Sequence, residues 1–337
     1  MSLLYGRQDI STVVWPENSI CDRIWLLENV KGATGILAMR TETVDTELLD
    51  AAGPSLKAFS TFSVGYEHLP LEELAKRKIK LGYTPDVLTD GVADIAIMLA
   101  LMASRNVGEA TDVVRKGEWP RCPRSPFLFC GPQLSASAMH PSRTAGFIGF
   151  GRIAQATLKR LVPFGVTECI YLGNPNTPPN PKADALLARE LSVPSIRRVP
   201  LSEIAEKSDV VFVLAPGGPE TYHIVDEAFL RRMKPTAVLV NVARGTLVDS
   251  DTLAKALRER WIWGAGLDVV EGEPVINADH PLVNEPRCIV LPHVGTASTE
   301  TRQAMAVLAV ENVIAGVLGL PIPAEVYLHW IMPVVSA

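Results

Sequence analysis

Cysteine is scarce in this 337-residue sequence, and the five present (Cys21, Cys122, Cys130, Cys169 and Cys288) are odd in number and scattered. None shows metal-ligand spacing, which argues against a disulfide scaffold or a zinc site and leaves reduced thiols in a reducing compartment. No metal is expected. No apolar run approaches the roughly 20 residues that a membrane-spanning helix requires, so no membrane partner is expected either. The opening MSLLYGRQDIST lacks the apolar core of a secretory leader, and the closing VVSA carries no peroxisomal address. The expected location is cytoplasmic. Positive charge is not in excess: a formal net charge of -5 favours solubility and argues against a general nucleic-acid binder. Internal repeats and low-complexity segments are missing as well.

What is present is enough chain for two cores, with the composition of a soluble globular protein, 47% hydrophobic and 20% charged. Residues 11–15 (STVVW) have strand composition, and apolar residues recur at helical spacing over 19–30. A buried strand is expected at 35–39 and a helix at 43–52, closed by Gly53. Further strands are expected at 56–60 and 80–83, with a helix at 71–77 between them. Residues 86–106 form a long helical stretch whose centre, ADIAIMLALMASR, is apolar almost all round, as in a helix buried between two domains. Residues 120–143 are rich in proline, serine and cysteine and have no period, so they read as a long functional or interfacial loop. Strands then recur at 145–148, 168–172, 209–214, 237–242, 264–270 and 288–291. Helices fit at 152–160, 201–206, 226–233 and 251–260, and a long one at 298–316 precedes a tail at 321–337. Short all-apolar strands between amphipathic helices indicate a parallel, doubly wound α/β sheet.

The densest signal is residues 144–156, TAGFIGFGRIAQA. An apolar strand enters the turn Gly149-Phe150-Gly151, and a helix follows from Arg152. In a dinucleotide fold the first glycine makes the tight turn and the second lets the backbone approach a pyrophosphate. The helix N-terminus adds unpaired N–H groups and the positive end of its dipole. The third position is Ala154, small enough for close helix–strand packing. After the second strand, where a site for NAD has an acid on the ribose 2′-OH, the chain reads Tyr171-Leu172-Gly173-Asn174-Pro175-Asn176. Without a carboxylate to repel a 2′-phosphate, NADPH is preferred and NADH is the second choice. No arginine stands in this segment, so Asn174, Asn176 and Thr177 are left to supply hydrogen bonds.

Ligands in an open α/β sheet sit beyond the carboxyl ends of the strands, and three polar residues fall there: Arg244, Glu273 and His293. An arginine pairs bidentately with a carboxylate and polarises a neighbouring carbonyl. A histidine shuttles a proton, and a carboxylate beside it fixes its tautomer. Taken singly, each is an ordinary surface group and Glu273-Pro274 a solvated turn. Their joint placement after a dinucleotide turn points to reduction of a 2-oxo acid, a small-molecule substrate.

Residues 144–316 resemble the cofactor half of the D-2-hydroxyacid dehydrogenase family, with GFIGFGRIAQA, VNVARGTLVD, GAGLDVVEGEP and LPHVGTAS in the family's order and spacing. Within it the chain is most similar to glyoxylate/hydroxypyruvate reductases. It shares STFSVGYEHL, GYTPDVLTD and CG in its first half and GLPIPAEV near its end, so the resemblance spans about residues 9–326. It implies a Rossmann dinucleotide-binding domain (91–302) and a flavodoxin-like substrate-binding domain (1–90 and 303–337), with the site in the cleft and domain closure expelling water. It also implies Arg244 as the substrate-binding, polarising arginine, Glu273 as the histidine's partner and His293 as general acid/base and substrate contact. Val64 and Gly65 match the loop whose backbone N–H groups bind the substrate carboxylate. The cofactor set is Gly149, Gly151, Arg152, Ile153, Asn174, Asn176, Pro216, Val242, Asp268 and Gly295. Of these, Pro216 and Val242 line the groove and Asp268 orients the nicotinamide end.

The chain departs from the family in three places. The family opens with a strand and helix for which there is little room here, so the first strand of the substrate domain is expected to be absent or rebuilt from residues 2–6. Residues 120–143 are longer than usual; in relatives this region lies at a dimer interface and reaches the partner's substrate pocket, which implies a homodimer with residues 127–129 tuning specificity. Asp94 stands where the family has glutamate. The expected activity is reduction of glyoxylate to glycolate or of hydroxypyruvate to D-glycerate. The alternatives are a dinucleotide-sensing, corepressor-like interaction protein of the same family, or an inactive truncated relative.

Overall fold

Short polar side chains start most of the helices. Asp22 accepts from the Trp25 N–H ahead of α1 (Arg23–Asn29), and Asp45 from the Leu48 N–H ahead of α2 (Thr46–Ala52). Each satisfies a donor that a helix leaves unpaired. The computed structural model describes residues 3–4, 7–123 and 125–328. The chain divides into two units, Met1–Leu88 with Ser298–Ala337, and Thr89–Ala297.

In the first unit β1 (Gly35–Ala38), β2 (Ala58–Thr61) and β3 (Lys80–Gly82) pair in parallel, with α3 (Leu71–Lys76) connecting the last two. Leu48, Leu49, Phe59, Leu74 and Leu81 lie at the centre of its core. Residues 11–15 form no strand, contrary to their composition. Val13 and Val14 are exposed, and strand propensity expresses itself only on a half-buried, paired surface. The helix expected over 19–30 begins only after the Asp22 cap. Of residues 2–6, Leu3 and Leu4 form a turn and the others lie outside the described residues, so β1 is the first described strand.

The second unit opens with α4 (Thr89–Ser104), which a 72° bend separates from α5 (Val107–Arg115). The bend falls at Asn106, whose φ of 50° is left-handed; α4 lies within the stretch 86–106 expected to be helical, and α5 was not part of that expectation. Among the described residues no single helix is long and apolar enough to cross a membrane. Within its own unit α4 packs on the sheet, where Gly266 lets it approach: a β-carbon there would fall 2.8 Å from the Leu99 Cβ. The described residues between α5 and the sheet hold one 3-10 turn (Trp119–Arg121) and leave Trp119, Phe127 and Met139 exposed.

The sheet runs β4 (Arg143–Ile148), β5 (Val166–Leu172), β6 (Ser195–Arg198), β7 (Val210–Val213), β8 (Val238–Asn241), β9 (Gly264–Leu267) and β10 (Cys288–Val290). Its helices are α6 (Arg152–Leu161), α7 (Pro181–Leu191), α8 (Leu201–Lys207), α9 (Glu227–Arg232) and α10 (Ser250–Arg258). The spatial order is β10-β9-β8-β7-β4-β5-β6, all parallel, so the winding reverses between β4 and β7. That switch point is where such sheets bind dinucleotides. Phe147 and Phe212, buried and stacked at 5.2 Å, pack across it. The sequence reading did not include α7 and β6. The latter is an edge strand, SIRR, with the alternating burial of a surface strand rather than an apolar run.

The chain then returns to the first unit as α11 (Thr299–Val317), capped by Ser298, and β11 (Glu325–Val326), antiparallel to β3. Asn312 is fully buried on α11; its Nδ2 donates to the Tyr83 carbonyl (2.9 Å) and its Oδ1 accepts from the Ala324 N–H (3.0 Å). Asn312→Ala would remove both part-buried bonds, at a cost of about 1–3 kcal/mol. Equilibrium urea unfolding checks this, and an unchanged stability would contradict it.

Candidate active site

The glycine turn is shaped by contact with the neighbouring strand. Gly149 has φ +88°, and a β-carbon on it would fall 2.7 Å from the Ala215 N and Cα. Only glycine fits there. The Gly149 N–H donates to the Leu172 carbonyl (3.1 Å) and the Leu214 N–H to the Ile148 carbonyl (2.8 Å), fixing the loop between β5 and β7. Gly151 starts α6 with no side-chain cap, and a β-carbon on it would meet nothing within 4 Å. The first N–H groups of a ten-residue helix, Arg152 and Ile153 among them, thus face a cradle with room for a pyrophosphate. Ala154 is buried in the third position. These residues fit a dinucleotide.

The loop after β5 is held by two devices. Asn174 Oδ1 accepts from the Asn176 N–H (2.8 Å), a tight polar turn. The Arg198 guanidinium, at the end of β6, donates from Nη2 to the Asn174 carbonyl (2.8 Å) and from Nη1 to the Thr177 carbonyl. An arginine therefore does reach the loop after β5, from the strand that sequence reasoning missed. Its signal was the second arginine of SIRR, legible only once β6 is paired to β5 with Arg198 beside Tyr171. Tyr171 stacks on Phe150 (4.4 Å) and donates to Asp184 (2.8 Å). Burial, and then that carboxylate, push its hydroxyl up to about 12, so it stays protonated.

At the other end of the sheet, Glu273 and His293 meet. His293 lies three residues beyond β10 with φ 55°, and its Nδ1 is 2.9 Å from Glu273 Oε1. An ionised Glu273 can only accept, so Nδ1–H donates and Nε2 is left to exchange a proton with a ligand. The turn carrying His293 hangs on Asp268. That carboxylate accepts from the Val294 and Gly295 N–H groups (2.7 Å each), while the Asp268 carbonyl accepts from the His293 N–H (2.9 Å). Burial pushes the Asp268 carboxyl up, against the pull of those two N–H groups. A β-carbon on Gly295 would fall 2.9 Å from the same carboxylate, so the turn requires glycine.

Arg244 follows β8 in extended conformation at the start of the 3-10 turn Gly245–Leu247. Its stem lies over Gly217, next to Pro216, so the loops after β7 and β8 touch. The buried Asn241, a residue the sequence reading did not single out, shapes this corner: Nδ2 donates to the Arg244 carbonyl (2.8 Å) and Oδ1 accepts from Ala243 (3.0 Å). Val242 is buried beside it. In the first unit Val64 and Gly65 lie in the bend after β2, where Ser63 Oγ donates to the Gly65 carbonyl (2.6 Å).

A sequence model described as the D-isomer specific 2-hydroxyacid dehydrogenase, NAD binding domain, matches residues 97–295. The glyoxylate reductase/hydroxypyruvate reductase of Mus musculus is 39% identical over 320 residues, covering 95% of this chain and 92% of that protein. The Homo sapiens protein of the same name is 41% identical over 303 residues, covering 90% and 87%. The crystal structure of an NADPH-dependent glyoxylate/hydroxypyruvate reductase from Sinorhizobium meliloti, in complex with NADP and malonate, matches with a TM-score of 0.71 at 34% identity, covering 88% of this chain and 84% of that one.

The amide of an Asp268→Asn side chain accepts through one atom only and turns an N–H donor toward a backbone N–H. The expected loss is about 1–3 kcal/mol of stability, with faster hydrogen exchange at Val294 and Gly295. Exchange unchanged from the wild type would show that the carboxylate does not hold the turn.

Proposed function

The chain belongs to the D-isomer specific 2-hydroxyacid dehydrogenase family, and from that premise we propose that it reduces glyoxylate to glycolate or hydroxypyruvate to D-glycerate, with NADPH preferred to NADH. The observation that carries this reading is the His293–Glu273 pair at 2.9 Å, in the same unit as the glycine turn. A bound nicotinamide supplies the hydride for the keto carbon. The protonated His293 gives its Nε2 proton to the keto oxygen, and Glu273 orients the ring. Arg244 pairs with the substrate carboxylate and polarises the carbonyl. The Val64 and Gly65 N–H groups bind the same carboxylate.

The NADPH preference is supported by the missing acid after β5 and by Arg198, whose charge suits a 2′-phosphate. The S. meliloti reductase, named as NADPH-dependent, points the same way. A homodimer is supported by the exposed apolar side chains Trp119, Phe127 and Met139 on the irregular segment before β4. Sedimentation of the purified protein as a monomer at micromolar concentration would end that part of the reading.

Oxidation of NADPH with glyoxylate or hydroxypyruvate, followed by the loss of reduced-nicotinamide absorbance, tests the activity. His293→Ala is expected to lower kcat by about 10²–10⁴. Arg198→Leu also frees the Asn174 and Thr177 carbonyls, so it is expected to weaken binding of both cofactors, NADPH by about tenfold more than NADH, the worth of one ionic hydrogen-bonding contact. Cofactor binding without turnover of any 2-oxo acid would reject the reductase, and a wild-type preference for NADH would reject the cofactor assignment.

A further inference from the structure

Two residues before Glu273, a second carboxylate is engaged by a second histidine. Glu271 Oε2 lies 2.8 Å from His223 Nε2. Tyr222 stacks on the His223 ring, centroids 3.9 Å apart and planes at 16°, and the nearby Glu271 carboxylate raises its phenol above the ordinary range. Glu271 is thus held by the His223 ring, which Tyr222 backs on one face.

The backbone of His223 is equally committed. Its φ of 49° is left-handed, a conformation that costs a residue with a side chain on the order of 1 kcal/mol and persists where the surroundings enforce it. Its N–H donates to the Thr246 carbonyl (2.9 Å), within the 3-10 turn that follows Arg244, and the Val225 N–H donates to Leu247 (3.0 Å). That turn also lies against the peptide opening the Glu273 turn: a β-carbon on Gly245 would overlap the backbone of Val270 and Glu271. The Glu273 turn closes by the Glu273 N–H to the Val270 carbonyl (3.2 Å), with Gly272 at φ +90° between the two glutamates. One residue therefore joins the segment carrying Arg244, through its main chain, to the segment carrying Glu273, through its ring.

We propose that His223 is a positioning residue, aided by Tyr222: by clamping Glu271 it keeps the Arg244 and Glu273 turns in register, so that Glu273 stays seated on His293. The effect on turnover rests on the reductase reading; the effect on the His293–Glu273 hydrogen bond does not.

The test reads that bond directly in the cofactor-free protein. The His293 Nδ1–H proton, hydrogen-bonded to a carboxylate, resonates at low field and is assigned by its loss in His293→Ala. In His223→Ala it is expected to vanish or broaden, and kcat to fall about tenfold. His223→Gln, whose amide can donate to Glu271, restores both. In a Glu273→Gln background the same His223→Ala change adds no further loss, because the two act on one bond. An unshifted proton in His223→Ala, a cost that is fully additive to that of Glu273→Gln, or failure of Gln to rescue would each overturn the proposal. Should His223→Ala not fold, Glu271→Ala removes the same contact from the other side, and an unchanged proton in it would overturn the proposal. A clamp effect on the spectrum in a protein that turns over no 2-oxo acid would reject the reductase and keep the clamp.

Discussion

The tightest constraint in the second unit is the approach of two loops at the switch point, where Gly149 sits so close to Ala215 that a β-carbon has no space. Because the sheet is entirely parallel, the carboxyl ends of its strands share one edge, and the reversal between β4 and β7 opens a crevice there. The glycine turn lies on one side of it, and the loops after β7 and β8, with Pro216, Gly217 and Arg244, on the other. Every residue assigned to chemistry in this unit emerges from that edge.

Strands bring functional residues to an edge but do not aim them. The aim comes from polar residues that bind the turns: buried Asp268 on the amides of the His293 turn, buried Asn241 on the Arg244 corner, and half-buried His223, by main chain and ring, on the turns around it. Asp268 and Asn241 direct their bonds to neighbouring backbone groups, as buried polar groups must find partners.

How much of this was legible in the sequence follows from range. The glycine turn, the apolar strands of the sheet and the Arg244, Glu273 and His293 positions were readable because each is written in a few contiguous residues with a fixed period. The end of the long apolar helix near Asn106 was readable because the apolar run stops there, but α5 beyond it, polar and without a buried residue, was not. The edge strand β6 was hidden by its own arginines, and with it Arg198. The second histidine pair was invisible for a different reason: His223 and Glu271 are 48 residues apart, and nothing local tells a clamped histidine from a surface one. Residues 11–15 erred in the opposite direction, since a propensity with no neighbour to pair with stays unspent.

The return of the chain in α11 bears on the order of synthesis. Gly35 of β1 is packed so closely under α11 that a β-carbon would fall 2.6 Å from Val317, and β3 waits for both Asn312 and β11. A nascent first unit therefore lacks the cover of its sheet until the 209 residues of Thr89–Ala297 have been made, about 10–40 s at ordinary translation rates. The second unit, contiguous in sequence, can complete its core in that interval. On the ribosome the second unit thus has its whole sequence before the first unit can close.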